Sequence, residues 1–167
     1  MKNILYVITG LIIVVFSNTI LNGINLSFFS IRPNLTLIYL TYLSIYIGIN
    51  RASIIGLILG LIIDITVGKY FGLYSLLFFL LGLVYGSIKD KVFKENILTI
   101  IILVALATLV ENVLSLLIVG FGMNNIFIHV FRILESIVAN VIISAGLFYP
   151  INYLINKVEE QWWKIWN

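Results

Sequence analysis

Long uninterrupted runs of apolar residues dominate the pattern of hydrophobic and polar positions along the chain. A membrane-spanning helix needs about 20 such residues, and polar positions divide the chain into six runs that approach this length. The pattern predicts an all-α polytopic membrane protein with six transmembrane helices in one transmembrane domain, residues 1–167. The predicted helices cover residues 4–22, 34–49, 52–67, 71–88, 97–119 and 132–155, followed by a C-terminal interfacial segment, 157–167.

The boundary between the second and third runs consists only of Asn50-Arg51. As one helix, residues 34–67 would be ~50 Å long, well beyond a hydrocarbon core of about 30 Å, so we expect a tight hairpin. Pro33 suits the first turn of the second helix, where its missing N–H has no cost. Glycines at both ends of Gly68–Gly72 favour a turn before the fourth helix.

The composition excludes a soluble globular domain, because 62% of the residues are hydrophobic and only 10% are charged. The chain has no cysteine and one histidine, which argues against a disulfide framework or a zinc site. The net charge of +3 indicates topology rather than nucleic-acid binding, and no cofactor is expected. Lys2 and the apolar run after it lack an A-x-A-like cleavage site, so we expect a retained first helix.

The distribution of lysine and arginine predicts that both termini are cytoplasmic, since inner loops carry an excess of these residues. With the N-terminus inside, the inner side holds seven basic residues and the outer side three. The Trp-rich tail, Val158–Trp166, then lies at the inner surface, either as an interfacial anchor or as a docking helix for a cytoplasmic partner. The inner residues are Lys2, Arg51, Lys89, Lys91, Lys94, Lys157 and Lys164, and the outer ones are Arg32, Lys69 and Arg132.

An aspartate, Asp64, interrupts the apolar third helix ~16 Å from its start. A charge at that depth costs about 2.5–3.5 kcal/mol or more, so Asp64 must face the interior of the bundle, find a partner or be protonated. We expect it to be a structural anchor that accepts hydrogen bonds from the start of the fourth helix, whose first N–H groups lack partners. On this interpretation Asp64→Asn is mild and Asp64→Leu is damaging.

Two G-x-x-x-G pairs, Gly56 with Gly60 and Gly82 with Gly86, predict close approach of a second helix. Packing within the protein is favoured over a partner surface for both pairs.

A second set of polar residues, in the outer halves of the last two helices, includes Glu111 and Asn140. Arg132 and Glu135 are spaced i, i+3, so they can neutralise each other. These residues are expected to form either a network that holds the third, fifth and sixth helices together or a polar pocket that opens outward for a ligand or proton, and the network is favoured.

Catalytic motifs are absent from the sequence: it contains no G-x-S-x-G, H-E-x-x-H or P-loop pattern. The single histidine, His129, has no partner nucleophile by sequence, and we predict that the protein is not an enzyme.

Residues 31–90 resemble the rod shape-determining protein MreD family of bacteria. The family often has Pro-Asp where this chain has Pro33-Asn34, and beyond this segment the chain matches only by hydropathy. The residues that carry the resemblance are Arg32, Pro33 and Asn34 before the second helix, Arg51 in the inner turn, Gly56, Gly60 and Asp64 in the third helix, and Gly72 before the fourth.

The resemblance implies a non-enzymatic scaffold of the cell-elongation machinery in the inner (plasma) membrane, which helps to place or regulate peptidoglycan synthesis. The implied partners are the transmembrane helix of MreC and membrane lipid and, indirectly, RodA, its penicillin-binding transpeptidase and MreB. The implied fold is similar to the substrate-binding subunits of energy-coupling-factor transporters. A vitamin-binding subunit of that type is therefore the alternative function, although the first helix lacks the A-x-x-x-A pair typical of those subunits.

Overall fold

The computed structural model describes the backbone of residues 2–23, 33–67, 70–119 and 126–166, and the side chains of 4–17, 33–66, 70–118 and 129–157. This part of the chain is all-helical apart from its turns. Three of its helices, α3, α5 and α6, are long and apolar enough to cross a membrane. The helices are α1 (Lys2–Gly23), α2 (Leu35–Ile47), α3 (Ile49–Val67), α4 (Leu73–Ser87), α5 (Ile97–Val119) and α6 (Ile126–Trp166).

Two of the helices are shorter than the sequence pattern suggests. α2 has 13 residues and α4 has 15, which correspond to ~20 Å and ~22 Å. Both are apolar but fall below the length of about 20 residues that spans a bilayer. The six-span topology therefore stays a prediction, whereas the all-helical fold is observed.

The centre of the bundle is α2, which packs against each of the other five helices. A helix that is apolar on every side is typical of such a buried position, and Leu37, Ile38 and Leu40 are fully buried. Its tyrosines use their hydroxyl groups to reach neighbouring helices. The Tyr42 hydroxyl donates to the backbone carbonyl of Ser144 at 2.7 Å, which ties α2 to α6.

The break between α2 and α3 lies at Gly48, and the predicted boundary at Asn50-Arg51 is wrong. Gly48 has φ = 84°, a conformation that glycine adopts without a steric penalty. Its N–H donates to the carbonyl of Ser44 and closes α2, while its own carbonyl accepts from Ala52 and opens α3. Asn50 and Arg51 are exposed in the first turn of α3. One residue is thus enough for this turn.

The last helix also differs from the prediction, because α6 has 41 residues and runs from Ile126 to Trp166. The sequence pattern predicts a start at residue 132 and a separate interfacial segment at 157–167. Pro150 lies inside α6 and removes one backbone donor, to the carbonyl of Gly146, without ending the helix. At ~1.5 Å per residue α6 is ~60 Å long, so it extends well past a hydrocarbon core of about 30 Å.

Candidate functional site

Asp64 forms a hydrogen-bonded cluster with the first turn of α4. Its side chain is 2% exposed. Oδ1 accepts from the backbone N–H of Tyr74 at 3.0 Å, and Oδ2 accepts from the backbone N–H of Ser75 at 2.9 Å. The hydroxyl of Ser75 adds a third hydrogen bond to Oδ2 at 2.6 Å. Both carboxylate oxygens therefore act as acceptors for α4.

This cluster exists because α4 lacks a capping side chain of its own. The N-cap residue is Gly72, which has φ = 99° and makes no side-chain hydrogen bond. An N-cap side chain normally accepts from the second or third helical N–H, and these belong to Tyr74 and Ser75. Asp64 of α3 fills that role from a neighbouring helix, and its charge is also favoured at a helix N-terminus.

The two glycines on the same face of α3 allow α4 to approach closely enough for these contacts. A Cβ atom built on Gly60 would lie 2.6 Å from the backbone nitrogen of Ser75. One built on Gly56 would lie 2.9 Å from the backbone carbon of Phe78. Neither distance is compatible with van der Waals contact, so any larger residue must push the two backbones apart.

The glycines of α4 likewise allow the backbone of α3 to approach closely. A Cβ on Gly82 would lie 2.6 Å from the backbone carbon of Ala52, and one on Gly86 would lie 2.6 Å from the backbone nitrogen of Ile49. α3 and α4 share the most extensive interface in the described structure. Both G-x-x-x-G pairs are thus occupied by packing within this hairpin, which leaves neither free as a partner surface.

A second cluster surrounds the start of α2, where Asn34 is the N-cap residue. Its Oδ1 accepts from the backbone N–H of Leu37 at 3.0 Å, which caps α2. Its Nδ2 donates to Oε1 of Glu111 at 2.7 Å. Its backbone N–H donates to Oδ1 of Asn140 at 2.9 Å. Asn34 therefore joins α2 to α5 through Glu111 and to α6 through Asn140.

The same cluster continues between α5 and α6. Nδ2 of Asn140 donates to the hydroxyl of Thr108 at 2.9 Å, and both residues are fully buried. Asn112 donates to the carbonyl of Thr108 at 2.8 Å and lies 3.4 Å from the hydroxyl of Ser136. The cluster therefore joins α2, α5 and α6. The expected network of the third, fifth and sixth helices differs from it, because Asp64 of α3 bonds to α4 instead.

Other predicted residues lie outside both clusters. Arg132 is exposed and Glu135 is half-buried near the start of α6, and neither is hydrogen-bonded to Asp64 or Glu111. His129 is half-buried. Pro33 precedes the N-cap residue, so its predicted place in the first turn of α2 is wrong. Arg32, Gly68 and Lys69 lie outside the described residues.

Sequence reasoning missed the capping role of Asn34 and the contribution of Thr108. Asparagine directly before an apolar run is a recognisable N-cap signal, so the first could have been found. Thr108 carries no such signal in the sequence. Its hydroxyl donates to the carbonyl of Val104 in its own helix. Only packing reveals that the same hydroxyl accepts from Asn140.

The hydrogen bonds of both clusters join helices to one another. In the described part of the chain, every fully buried side-chain nitrogen or oxygen has a hydrogen-bond partner. That part also contains no group of three His, Cys, Asp or Glu residues that could hold a metal ion. An open cleft of about 450 Å³ lies near the 88–96 loop, and none of its lining residues belongs to either cluster. Its lining residues are Phe93, Glu95, Asn96, Ile97, Phe148 and Tyr149.

Comparison with known proteins identifies one family. A family model described as rod shape-determining protein MreD matches residues 1–158. Neither the curated proteins nor the solved structures provided a match to the chain.

Proposed function

The chain belongs to the MreD family and therefore has a role in rod-shape determination; from this premise we propose that it is a non-enzymatic scaffold of the elongation machinery in the bacterial inner membrane. The match to residues 1–158 is the observation that carries the proposal. The two polar clusters support it, because their hydrogen bonds cap helices or join one helix to another. On this proposal the protein helps to place or regulate peptidoglycan synthesis by association.

The direct partner in this proposal is the transmembrane helix of MreC, with RodA, its penicillin-binding transpeptidase and MreB linked through it. Lipid tails are as apolar as leucine, so helices associate in a membrane through packing and interhelical hydrogen bonds. The alternative function, a vitamin-binding transporter subunit, has no support in the comparisons. Gly10 of α1 offers it none either, since it packs against the side chain of Leu59 in α3.

The proposal predicts a stable complex with MreC. When the full chain is co-expressed with the MreC protein of the same organism and solubilised in mild detergent, we expect the two to co-purify. The matched control is an MreC whose membrane helix is replaced by an unrelated apolar helix, which should abolish co-purification. Absence of the complex with native MreC, in detergent and in native membranes, would contradict the scaffold proposal.

The proposal also predicts the orientation of the chain. Because inner loops are enriched in Lys and Arg, single cysteines at Lys91 and Gly122 should react with an impermeant thiol reagent from opposite faces of the membrane. The native chain has no cysteine, so it provides a background-free control. Gly122 lies outside the described residues. Labelling of both positions from one face would rule out the six-helix topology.

A further inference from the structure

The core-facing side of α5 is fully buried in one part of the helix and only partly buried further along. Val104, Ala107 and Thr108 are fully buried. Residues three, four and seven positions apart share one face of a helix, so this face continues through Glu111 to Ile118. Glu111 is only half-buried, and Ile118 is 48% exposed. The face that packs on the core near the 88–96 loop is therefore less completely covered at the far end.

The neighbouring helix changes in the same way. Asn140 and Ser144 of α6 are fully buried. One and two turns towards the start of α6, Ser136 and Ile133 continue this face and are half-buried. The far halves of α5 and α6 thus share a surface that the described residues cover only in part. We call this surface the open face; its residues are Glu111, Ser115 and Ile118 of α5 and Ile133 and Ser136 of α6.

The open face contains a carboxylate oxygen that has no hydrogen-bond partner among the described residues. Oε1 of Glu111 accepts from Asn34, but Oε2 accepts no hydrogen bond from the described residues. Glu111 lies about two turns, or ~12 Å, before the end of α5, and α5 is long and apolar enough to span a membrane. Ionisable groups at such depth are costly and pair with another group.

We propose that the open face binds the transmembrane helix of a partner protein, and that this helix donates a side-chain N–H hydrogen bond to Oε2 of Glu111. Lipid tails carry no donor, whereas Arg, Lys, Asn and Gln side chains do. Ser115 and Ser136 are small enough to let a second backbone approach. The identity of the partner, MreC, rests on the proposed function. This inference adds the surface that binds it and the hydrogen bond that forms there.

The test is site-specific photo-cross-linking in cells that contain the full chain and MreC. A benzoylphenylalanine at Ile118, on the open face, should cross-link to the MreC helix. The matched control is Val84 of α4, which is exposed on another side of the bundle at 56% and should not. Cross-links from Ile118 only to lipid or to a second copy of this chain would overturn the proposal, as would equal MreC cross-linking from Val84.

Substitution of the acceptor provides an independent measurement. Glu111→Gln retains an oxygen for Asn34 but presents an N–H group where Oε2 accepts, so MreC recovery should fall about tenfold, as expected for one charge-assisted hydrogen bond. Glu135→Gln makes the same change at a half-buried residue outside the cluster and should leave recovery unchanged. If Glu111→Gln does not fold, the Ile118 cross-link in the otherwise native chain decides alone.

Two outcomes distinguish a wrong binding surface from a wrong scaffold function. If native MreC co-purifies while Ile118 fails to cross-link to it and Glu111→Gln binds normally, this inference is wrong and the scaffold function stands. If Glu111→Gln and Arg32→Gln lower the thermal stability equally in the absence of MreC, the partner of Glu111 belongs to this chain. In that case the inference is also wrong. We expect Glu111→Gln to match the native stability without MreC and to lose the gain that MreC confers.

Discussion

Asp64→Leu is expected to lower the thermal unfolding temperature of the purified protein sharply, because it removes both acceptors at the start of α4. The backbone N–H groups of Tyr74 and Ser75 donate to Asp64. They are the second and third N–H groups of a helix whose N-cap residue, Gly72, supplies no side chain. Each buried donor left without a partner costs about 1–3 kcal/mol, and the leucine side chain would also press on the start of α4.

A graded series separates the hydrogen bonds from one another. Ser75→Ala removes only the hydroxyl contact to Oδ2, so it should be the mildest change. Asp64→Asn offers one carbonyl oxygen to two N–H donors and should be intermediate. This revises the mild effect expected from sequence, because the structure shows that both oxygens are used. Asp64→Leu should be the most severe.

The measurement is the midpoint of thermal unfolding in one detergent, together with co-purification of MreC. The expected order of stability is native, Ser75→Ala, Asp64→Asn and Asp64→Leu. Equal stability of native protein and Asp64→Leu would show that the cap contributes nothing. A folded Asp64→Asn that loses MreC as completely as Asp64→Leu would instead indicate that the charge itself has a function.

Gly60→Ala is expected to destabilise the chain although alanine is the better helix former. The added methyl group would lie 2.6 Å from the backbone nitrogen of Ser75, and a backbone atom cannot rotate away as a side chain can. Overpacking of this kind costs about 1–3 kcal/mol, occasionally more. It also separates α3 from α4, which stretches the hydrogen bonds to Asp64.

The chain contains two matched controls for this substitution. A Cβ on Gly146 of α6 meets no atom within 4 Å, so Gly146→Ala should raise stability by about 0.5–1 kcal/mol through helix propensity alone. A Cβ on Gly10 would approach only side-chain carbons of Leu59, the nearest at 2.7 Å. That side chain can move, so Gly10→Ala should fall between the other two variants.

The same unfolding measurement checks the order. Destabilisation by Gly60→Ala with stabilisation by Gly146→Ala assigns the effect to the α3–α4 contact rather than to glycine in general. If Gly60→Ala is as stable as Gly146→Ala, the close approach of the two helices is not required. Native stability of Gly82→Leu or Gly86→Leu would likewise contradict their packing against Ala52 and Ile49.

The prediction from sequence succeeded where one residue conflicted with its surroundings. Asp64 in an apolar helix had to find donors, and the nearest free donors along the chain were those that open the fourth helix. The helix 97–119 was predicted with the bounds that the structure gives to α5. Gly72 was expected in a turn, and it adopts a positive φ there. Each of these predictions rests on a local constraint that few arrangements satisfy.

Membership of the membrane class, the helical fold and the family resemblance were therefore determined by the sequence alone. Only the tertiary structure decided that α2 is the buried centre, that the hairpin turns at Gly48, and that Asn34, Glu111 and Asn140 meet at one helix end. The physical reason is that lipid tails and a protein core are equally apolar. A hydrophobic run therefore has the same sequence pattern whether it faces lipid or another helix, and only packing distinguishes the two.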